Sequence, residues 1–414
     1  MSAVSAARLA LARHLLESER PAGPVPGVVV AIPARDEEAR IDACLASLIA
    51  QRGIPAAHAD VGIVLVANNC RDATAPRARH LLRKSGIPHR VLALDLPAGN
   101  ANAGHARGLA LDVAGLWAGQ AGGRGILLTT DADTRVGPDW IARNIAALSG
   151  CCDAVAGRFV FDRREEAAWP PHLRRRRRLE GAYEHALAAL STCIDPLPED
   201  PWPNHWTESG ASFAVTLAAY RRIGGLPVVE VGEDRALAAT LARHDIALRH
   251  DPGIVVTTSA RFDGRADGGC ASTLRLRAER DAVPADERLE PLPAALRRMV
   301  LRGRMRRAFA ANCHPGTWER RLALPEGALG GRTGRSFGEA WATALAQSPL
   351  LVPEPLRPDR IADHLRDARR LRGALEGLSP GSEKIEAIVV GALPGKAPVA
   401  AAERADELVG GCVA

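Results

Sequence analysis

The chain has 414 residues, of which 47% are hydrophobic and only 4% aromatic, so a large core has to be built from Ala, Leu, Val and Ile. That composition suits helices packed on a sheet better than a β-sandwich, which gives an α/β class before any motif is considered. The formal charge is +6, but the run Arg174 to Arg178 supplies five of those charges and lysine occurs only at 84, 384 and 396; with so few aromatic side chains to stack on bases, no nucleic-acid partner is expected.

Leu9, Leu11, Leu15 and Leu16 repeat at helical spacing over residues 5–18, and Pro21-Ala22-Gly23-Pro24 breaks the pattern. Residues 1–24 are therefore read as a separate N-terminal helix. Arg8, Arg13, Glu17 and Glu19 interrupt its apolar runs, so no secretory leader is expected, and nothing later reaches the ~18 consecutive apolar residues of a membrane span. Gly27 to Pro33 reads as a buried strand stopped by its proline. Arg35-Asp36-Glu37-Glu38 then puts acids in the first turn of a helix through Ile41, Cys44, Leu45, Leu48 and Ile49, where the helix dipole alone accounts for some of them.

Gly62 to Ala67 is a second strand that ends in the polar run Asn68-Asn69-Cys70-Arg71-Asp72, before a helix around Arg77 to Leu82. Val91 to Leu94 is a third. Gly99-Asn100-Ala101-Asn102-Ala103-Gly104 opens a helix through Leu109, Leu111 and Val113, and its glycines allow close approach of backbone to a ligand. No Gly-x-Gly-x-x-Gly follows the first strand and no Gly-Lys-Ser/Thr occurs, which argues against dinucleotide and P-loop sites.

Ile126 to Thr129 is a fourth strand, apolar enough to be covered on both faces. It runs into Thr130-Asp131-Ala132-Asp133. Parallel sheets present ligands at the carboxyl ends of their strands, and two carboxylates one residue apart there suit a shared divalent cation with an attached diphosphate. Alone, such a pair is as simply a turn. A helix of Ile141, Ile145 and Leu148 and a strand from Ala154 to Phe161 complete four strand–helix alternations, the doubly wound pattern.

Residues 163–206 read as an insertion, and Glu208-Ser209-Gly210-Ala211-Ser212 as a small-residue stretch after it. Gly232-Glu233-Asp234 starts a helix through Leu237, Ala238 and Leu241, and two strands are expected at Ile246 to Leu248 and Ile254 to Thr258. Arg261 and Arg265 follow in a glycine-rich stretch. Residues 266–414 read as mainly helical and arginine-rich, with Arg297, Arg298, Arg302, Arg304, Arg306 and Arg307 in one block. The eight cysteines show no zinc spacing and read as reduced thiols of a cytosolic protein, soluble or peripherally attached to a membrane.

Four of these segments together resemble one family. Pro33-Ala34-Arg35-Asp36-Glu37-Glu38, Asn68 to Asp72, Asp131-Ala132-Asp133 and Glu233-Asp234 stand in the order and spacing of the family 2 glycosyltransferases, and residues 27 to about 260 resemble that family. The resemblance implies a GT-A fold, a mostly parallel sheet flanked by helices, over residues 25–265. It implies inverting transfer of a sugar from a nucleoside-diphosphate sugar of UDP or GDP type to an acceptor hydroxyl, by a single displacement assisted by Mg²⁺ or Mn²⁺. Asp133, with Asp131, would hold the metal. Pro33, Ala34, Arg35, Glu37, Asn69 and Asp72 would line the base and ribose pocket; Arg107, Asp131, Ala132, Asp133, Ser209 and Gly210 would complete the donor site. Asp234 would be the general base with Glu233 in support. That work asks for a carboxylate near the reacting oxygen and partly desolvated, whereas two acids at a helix start are otherwise caps worth about 1 kcal/mol.

The chain departs from the family twice. Arg107 is the only base in the segment where relatives often carry a lysine, and His250 is the only nearby candidate for a histidine third metal ligand, which leaves it outside the expected set. In the insertion, Leu173, Leu179, Tyr183, Leu187 and Leu190 share a helix with Arg174 to Arg178, whose face suits solvent, anionic lipid or a phosphorylated acceptor. Trp202 and Trp206 suit packing or a sugar ring equally well. Three other readings stay open: a nucleotide-sugar-binding protein without turnover, a nucleotidyltransferase, whose Gly-rich activating loop is not found, and a membrane scaffold resting on the arginine runs.

Overall fold

The apolar runs at 28–34, 61–68 and 126–129 are buried at every residue, because each becomes a strand covered on both faces. The computed structural model describes residues 3–18, 24–56, 60–122, 125–150, 152–264, 268–330 and 336–393. Arg265, residues 21–23 of the expected break and residues 394–414 lie outside them. The chain divides into two units, Met1–Trp169 with Thr207–Ala242 and Ile246–Leu276, and Pro170–Trp206 with Arg243–Asp245 and Arg277–Ala414. Residues 170–206 thus belong with the C-terminal helices.

In chain order the first unit contributes α1 (Ala3–Ser18), β1 (Val28–Ala34), α2 (Ile41–Ile49), β2 (Val61–Asn68), α3 (Thr74–Ser85), β3 (His89–Leu94), α4 (Ala103–Gly119), β4 (Ile126–Thr129), β5 (Arg135–Val136), α5 (Trp140–Leu148), β6 (Ala154–Phe161) and α6 (Arg163–Ala167). Helix α7 (Pro171–Ile194) is in the second unit. The first unit resumes with β7 (Phe213–Thr216), α8 (Leu217–Arg222), α9 (Glu233–Arg243), β8 (Leu248–Thr258) and most of α10 (Cys270–Glu279). Helices α11 (Leu292–Ala310), α12 (Pro315–Arg321), α13 (Phe337–Gln347), α14 (Ile361–Ala374) and α15 (Glu383–Gly391) complete the second.

The strands form an eight-stranded sheet in the order β3-β2-β1-β4-β7-β6-β8-β5. β1 is parallel to β2 and β4, β2 to β3, and β6 to β8. β7, which the sequence reading does not give as a strand, is antiparallel to both β4 and β6. An antiparallel strand begins where its neighbours end, so Ser209 to Ser212 arrive at the edge from which Asp131 leaves. β8 points the same way as β6 and delivers Ser259 to Arg261 there too.

Two strand boundaries differ from expectation for one reason, the missing N–H of proline. β1 runs through Pro33, because its ladder with β4 stops at Ala31 and the proline has no partner to disappoint on that side. The two strands expected after Asp245 are one, β8, with Pro252-Gly253-Ile254 skipped where Gly157 pairs Asp251 and Arg158 pairs Val255. Side chains alternate across the sheet: Val28, Val30 and Ile32 pack with Ile41, Leu45 and Ile141, while Val29 and Ala31 pack with Leu109, Val113 and Trp117.

Helix α1 has a purpose the sequence leaves unstated. Arg8, 2% exposed, donates Nε to Asp112 Oδ2 at 2.7 Å and Nη2 to the Leu226 carbonyl at 2.9 Å. Tyr220 donates its hydroxyl to the other Asp112 oxygen at 2.7 Å. A Cβ at position 108 of α4 would lie 2.3 Å from the guanidinium, so Gly108 makes the room.

In the second unit Tyr183, Leu187 and Leu190 of α7 pack with Leu296, Ile361, Leu365 and Val389. The arginine runs are largely internal ties. Arg176 is buried on Glu180 at 2.9 Å and on the Pro284 carbonyl at 2.8 Å, which leaves Arg175 and Arg178 as the exposed members of that run. Arg298 is bidentate on Glu290, Arg302 and Arg306 share Asp195, and Arg304 and Arg307 share Glu386. No helix of the described residues is long and apolar enough to cross a membrane.

Removing Arg8 strands the Asp112 carboxylate away from water, so Arg8→Ala is expected to cost about 3–5 kcal/mol in urea unfolding. Arg77→Ala, at the exposed pair with Asp42, is expected to leave the urea midpoint nearly unchanged.

Candidate active site

Arg107 sits one turn into α4, in a helix whose start is fixed by Asn102 accepting the His105 N–H at 2.8 Å. Its guanidinium, 5% exposed, meets four groups: Nη2 donates to Asp131 Oδ1 at 2.6 Å, Nε to Glu233 Oε1 at 3.0 Å, and Nη1 to Thr129 Oγ1 and the Gly210 carbonyl at 2.9 and 3.0 Å. One side chain therefore joins the Asp-x-Asp strand, the small-residue stretch and the Glu-Asp helix. Burial works against its charge, but Asp131 and Glu233 outweigh that and hold its pKa above the ordinary arginine value. Two glycines make the geometry possible. A Cβ at Gly210 would fall 2.2 Å from the guanidinium carbon, and one at Gly104 3.2 Å from Glu233 Cβ.

Asp133 faces a different arginine. Arg261, just beyond β8, donates Nη1 to Glu37 Oε2 at 2.9 Å, pairs Nη2 with Glu37 Oε1, and holds that nitrogen 3.3 Å from Asp133 Oδ2. Thr258 Oγ1 is 3.4 Å from Asp133 Oδ1. Glu165 anchors the turn before Arg261, accepting from the Ala260 N–H at 2.6 Å and Ser259 Oγ at 2.9 Å while pairing with Arg40 at 2.6 Å. Burial, then Asp131 and Glu37, push the Asp133 carboxyl up to about 7 against the pull of Arg261 and Arg40. A cluster with more acid than its cations neutralise, built of hard oxygens, fits a divalent ion. Ala132 turns inward between the two acids and is 3% exposed.

Asp234 follows Glu233 at the start of α9. Its Oδ2 accepts the Gly210 N–H at 3.1 Å and its Oδ1 the Arg235 N–H at 2.8 Å. Burial and the neighbouring Glu233 raise its pKa above the usual carboxylate range, against Arg107 and those two N–H groups. Ser209 shapes the same loop, its hydroxyl accepting the Ala211 N–H at 3.2 Å.

Pro33 and Ala34 are buried at the exit of β1. Arg35 donates to the Ala101 carbonyl at 2.9 Å. Asn69, at φ +53°, clamps Leu96 through both its N–H and its carbonyl, each at 3.1 Å. Asp72 accepts the Glu38 N–H at 2.9 Å and the Thr74 N–H at 3.0 Å. These residues form the rim at the β1 and β2 exits, whereas Arg107, Asp131, Glu233, Asp234 and Gly210 are joined directly. Asp36, Cys70 and Asp72 also bring ligand atoms within 4.8 Å of one another. Burial raises the Cys70 thiol, while Thr74 and the Glu38 N–H outweigh burial to lower Asp72, as in a loop tied by its own backbone.

His250 lies 3.8 Å from Glu208, and the groups meeting Asp133 from the β8 side are Thr258 and Arg261. Thr129, Thr258, Arg40 and Glu165 were not singled out by sequence. A hydroxyl in a four-residue buried strand was a signal for Thr129; nothing in Arg163-Arg164-Glu165-Glu166 distinguishes Glu165. In the second unit Trp202 is covered by Arg372, 5.1 Å from its ring, and Trp206 lines a small polar cavity with Glu180, Glu184 and Arg277.

Residues 29–195 match the family model Glycosyl transferase family 2. This part of the chain is a family 2 glycosyltransferase domain. The match points to the glycosyltransferase class, on a mixed eight-stranded sheet flanked by helices. Among solved structures, the mannosyltransferase PcManGT from Pyrobaculum calidifontis, in complex with GDP-Man and Mn²⁺, is 15% identical, over 99% of this chain and 91% of that one, with a TM-score of 0.42. S. aureus TarS 1-349 in complex with UDP-GlcNAc is 14% identical over 84% and 90%, with a TM-score of 0.42. M. tuberculosis glucosyl-3-phosphoglycerate synthase is 18% identical over 65% and 83%, with a TM-score of 0.33. The longer S. aureus TarS chain, 15% identical with a TM-score of 0.35, is matched over 56% of this chain and only 35% of its own length. No protein of curated function matches the chain.

The candidate site carries a pH signature. Without a divalent ion the folded chain keeps a proton on Asp133 up to about pH 7, whereas a free aspartate loses it near 3.8. The folded state therefore binds more protons in that window, and the stability contributed is lost as pH rises through it. In melts run with a chelator, the stability of Asp133→Asn relative to the parent should rise from about pH 4 to about pH 7 and then level off; a difference that is flat or falls with pH would contradict the assignment.

Proposed function

We propose that the protein is an inverting glycosyltransferase moving a sugar from a nucleoside-diphosphate sugar, of UDP or GDP type, to an acceptor hydroxyl. The observation that carries this is the Arg107 guanidinium, bonded at once to Asp131 and to Glu233. It joins the metal-type acid and the residue beside the candidate base through one cation, which supports reading the donor and acceptor sides as one pocket.

Asp133 with Asp131 would hold Mg²⁺ or Mn²⁺. When bound, that ion neutralises charge developing on the leaving diphosphate. Pro33, Ala34, Arg35, Glu37, Asn69 and Asp72 would receive the base and ribose at the β1 and β2 exits, while Ala132, Ser209 and Gly210 shape the sugar side. Asp234 accepts the proton of the acceptor hydroxyl as its oxygen attacks the anomeric carbon. Its raised pKa suits a base, and the Gly210 and Arg235 N–H groups, one on each oxygen, hold the carboxylate in place while leaving each oxygen a further lone pair. Glu233 orients Arg107 and leaves proton transfer to its neighbour. The location we propose is cytoplasmic, for a protein that is soluble or peripherally attached.

A thermal-shift panel of UDP- and GDP-sugars with and without Mn²⁺ tests the donor. At least one sugar nucleotide should raise the melting temperature with Mn²⁺ present, and silence from the whole panel would overturn the reading. With that donor, Asp234→Asn should keep the shift while transfer, read as release of nucleoside diphosphate, falls roughly 10²–10⁴-fold. Unchanged release would favour a binding protein without turnover.

A further inference from the structure

The two acids of the Asp-x-Asp are held by arginines of different character. Arg107 is fixed at four points and is 6% exposed as a side chain. Among the described residues, the side-chain bonds of Arg261 run only to Glu37 and Asp133. Its own side chain is 13% exposed, and those of the two acids are 7% and 19%. It arrives from the exit of β8, and its backbone is tied down behind it by Ser259 and Glu165. The guanidinium thus bridges two carboxylates that repel one another, Arg40 being the other cation that acts on Asp133 and Arg107 the partner of Asp131.

Building on the metal-assisted reading above, we propose that Arg261 stands in for the divalent cation between Glu37 and Asp133, and that cation binding requires its guanidinium to swing from Asp133 onto the diphosphate of the donor. The argument is one of charge and shape. A divalent ion held by Asp133 would lie beside the Arg261 guanidinium, whose Nη2 is 3.3 Å from Asp133 Oδ2, and two cations that close repel one another in a poorly solvated pocket. A cation arriving alone has to displace Arg261 and leave a largely buried charge short of a partner. A cation arriving with a diphosphate brings the partner with it, and the planar fork of arginine is matched to phosphate oxygens. The pocket then keeps its charge balance only when both ligands enter together. Arg261 is a positioning residue that couples metal to donor, and the coupling is reciprocal.

Electron paramagnetic resonance of Mn²⁺ titrated into the full chain without nucleotide tests this. Arg261→Gln removes the competing cation and should bind Mn²⁺ at least about fivefold more tightly than the parent, the lower end of ordinary coupling between ligands. Arg261→Lys keeps a charge but cannot span both acids, and should fall between the two; read alone, it still has to bind more tightly than the parent. In the presence of Mg²⁺, the rise in melting temperature given by inorganic pyrophosphate should shrink in Arg261→Gln. An undiminished rise would remove the transfer to diphosphate. Mn²⁺ affinity that is unchanged or weaker in Arg261→Gln, yet abolished by Asp133→Asn, would overturn the exchange while leaving the metal site standing. Mn²⁺ binding that Asp133→Asn leaves intact, or that is absent from parent and variant alike, would overturn both.

Discussion

The guanidinium of Arg107 is the interaction on which the site depends. Asp131 leaves β4, Gly210 precedes β7 and Glu233 opens α9, and these elements are far apart in the chain. The pairing of β4 with β7 brings the first two together, but it does not by itself bring Glu233 to them. A single buried cation gives each of them a partner, and the cost of leaving any one of those groups unpaired away from water keeps the set together. Asp234 takes its position from the two ends of this arrangement, Glu233 beside it and the Gly210 N–H in front of it.

The rest of the first unit places that guanidinium. Helix α4 is capped by Asn102 at one end and gripped by Arg8 of α1 two turns along, through Asp112 and the space at Gly108. The antiparallel insertion of β7 brings its leading residues to the carboxyl edge of a parallel strand, where the glycine carbonyl can meet Arg107. The result is a rigid half, centred on Asp131, and an exchangeable half, centred on Asp133 and Arg261. A site of this kind can be preorganised for chemistry on one side and responsive to ligand on the other.

Much of this was legible in the sequence, for identifiable reasons. β1, β2 and β4 are runs of apolar residues ending in polar ones, and burial on both faces writes that pattern directly. Three of the four acidic or amide segments stood out because each follows such a run, and Glu233-Asp234 because it opens a helix. What was not legible depends on partners distant in sequence. Phe213 to Thr216 is too short to announce a strand, and its direction is fixed only by β4 and β6. The run Arg174 to Arg178 looked like one charged face, yet Arg176 turns inward to Glu180 and to a carbonyl more than a hundred residues on. Arg261 was visible as a basic residue in a glycine-rich stretch, but its contact with Glu37 and Asp133 spans 224 positions in the first case and more than a hundred in the second.

Two acidic clusters compete for a metal in the first unit, Asp131 with Asp133 and Glu37, and Asp36 with Cys70 and Asp72. Anomalous diffraction from Mn²⁺ in crystals grown with UDP or GDP separates them most directly. A single manganese peak between Asp131 and Asp133, in a cavity continuous with the Asp234 carboxylate, is the predicted result. A peak on Asp36 and Asp72, or one walled off from Asp234, would contradict the claim that the Asp-x-Asp and Glu-Asp segments form one site.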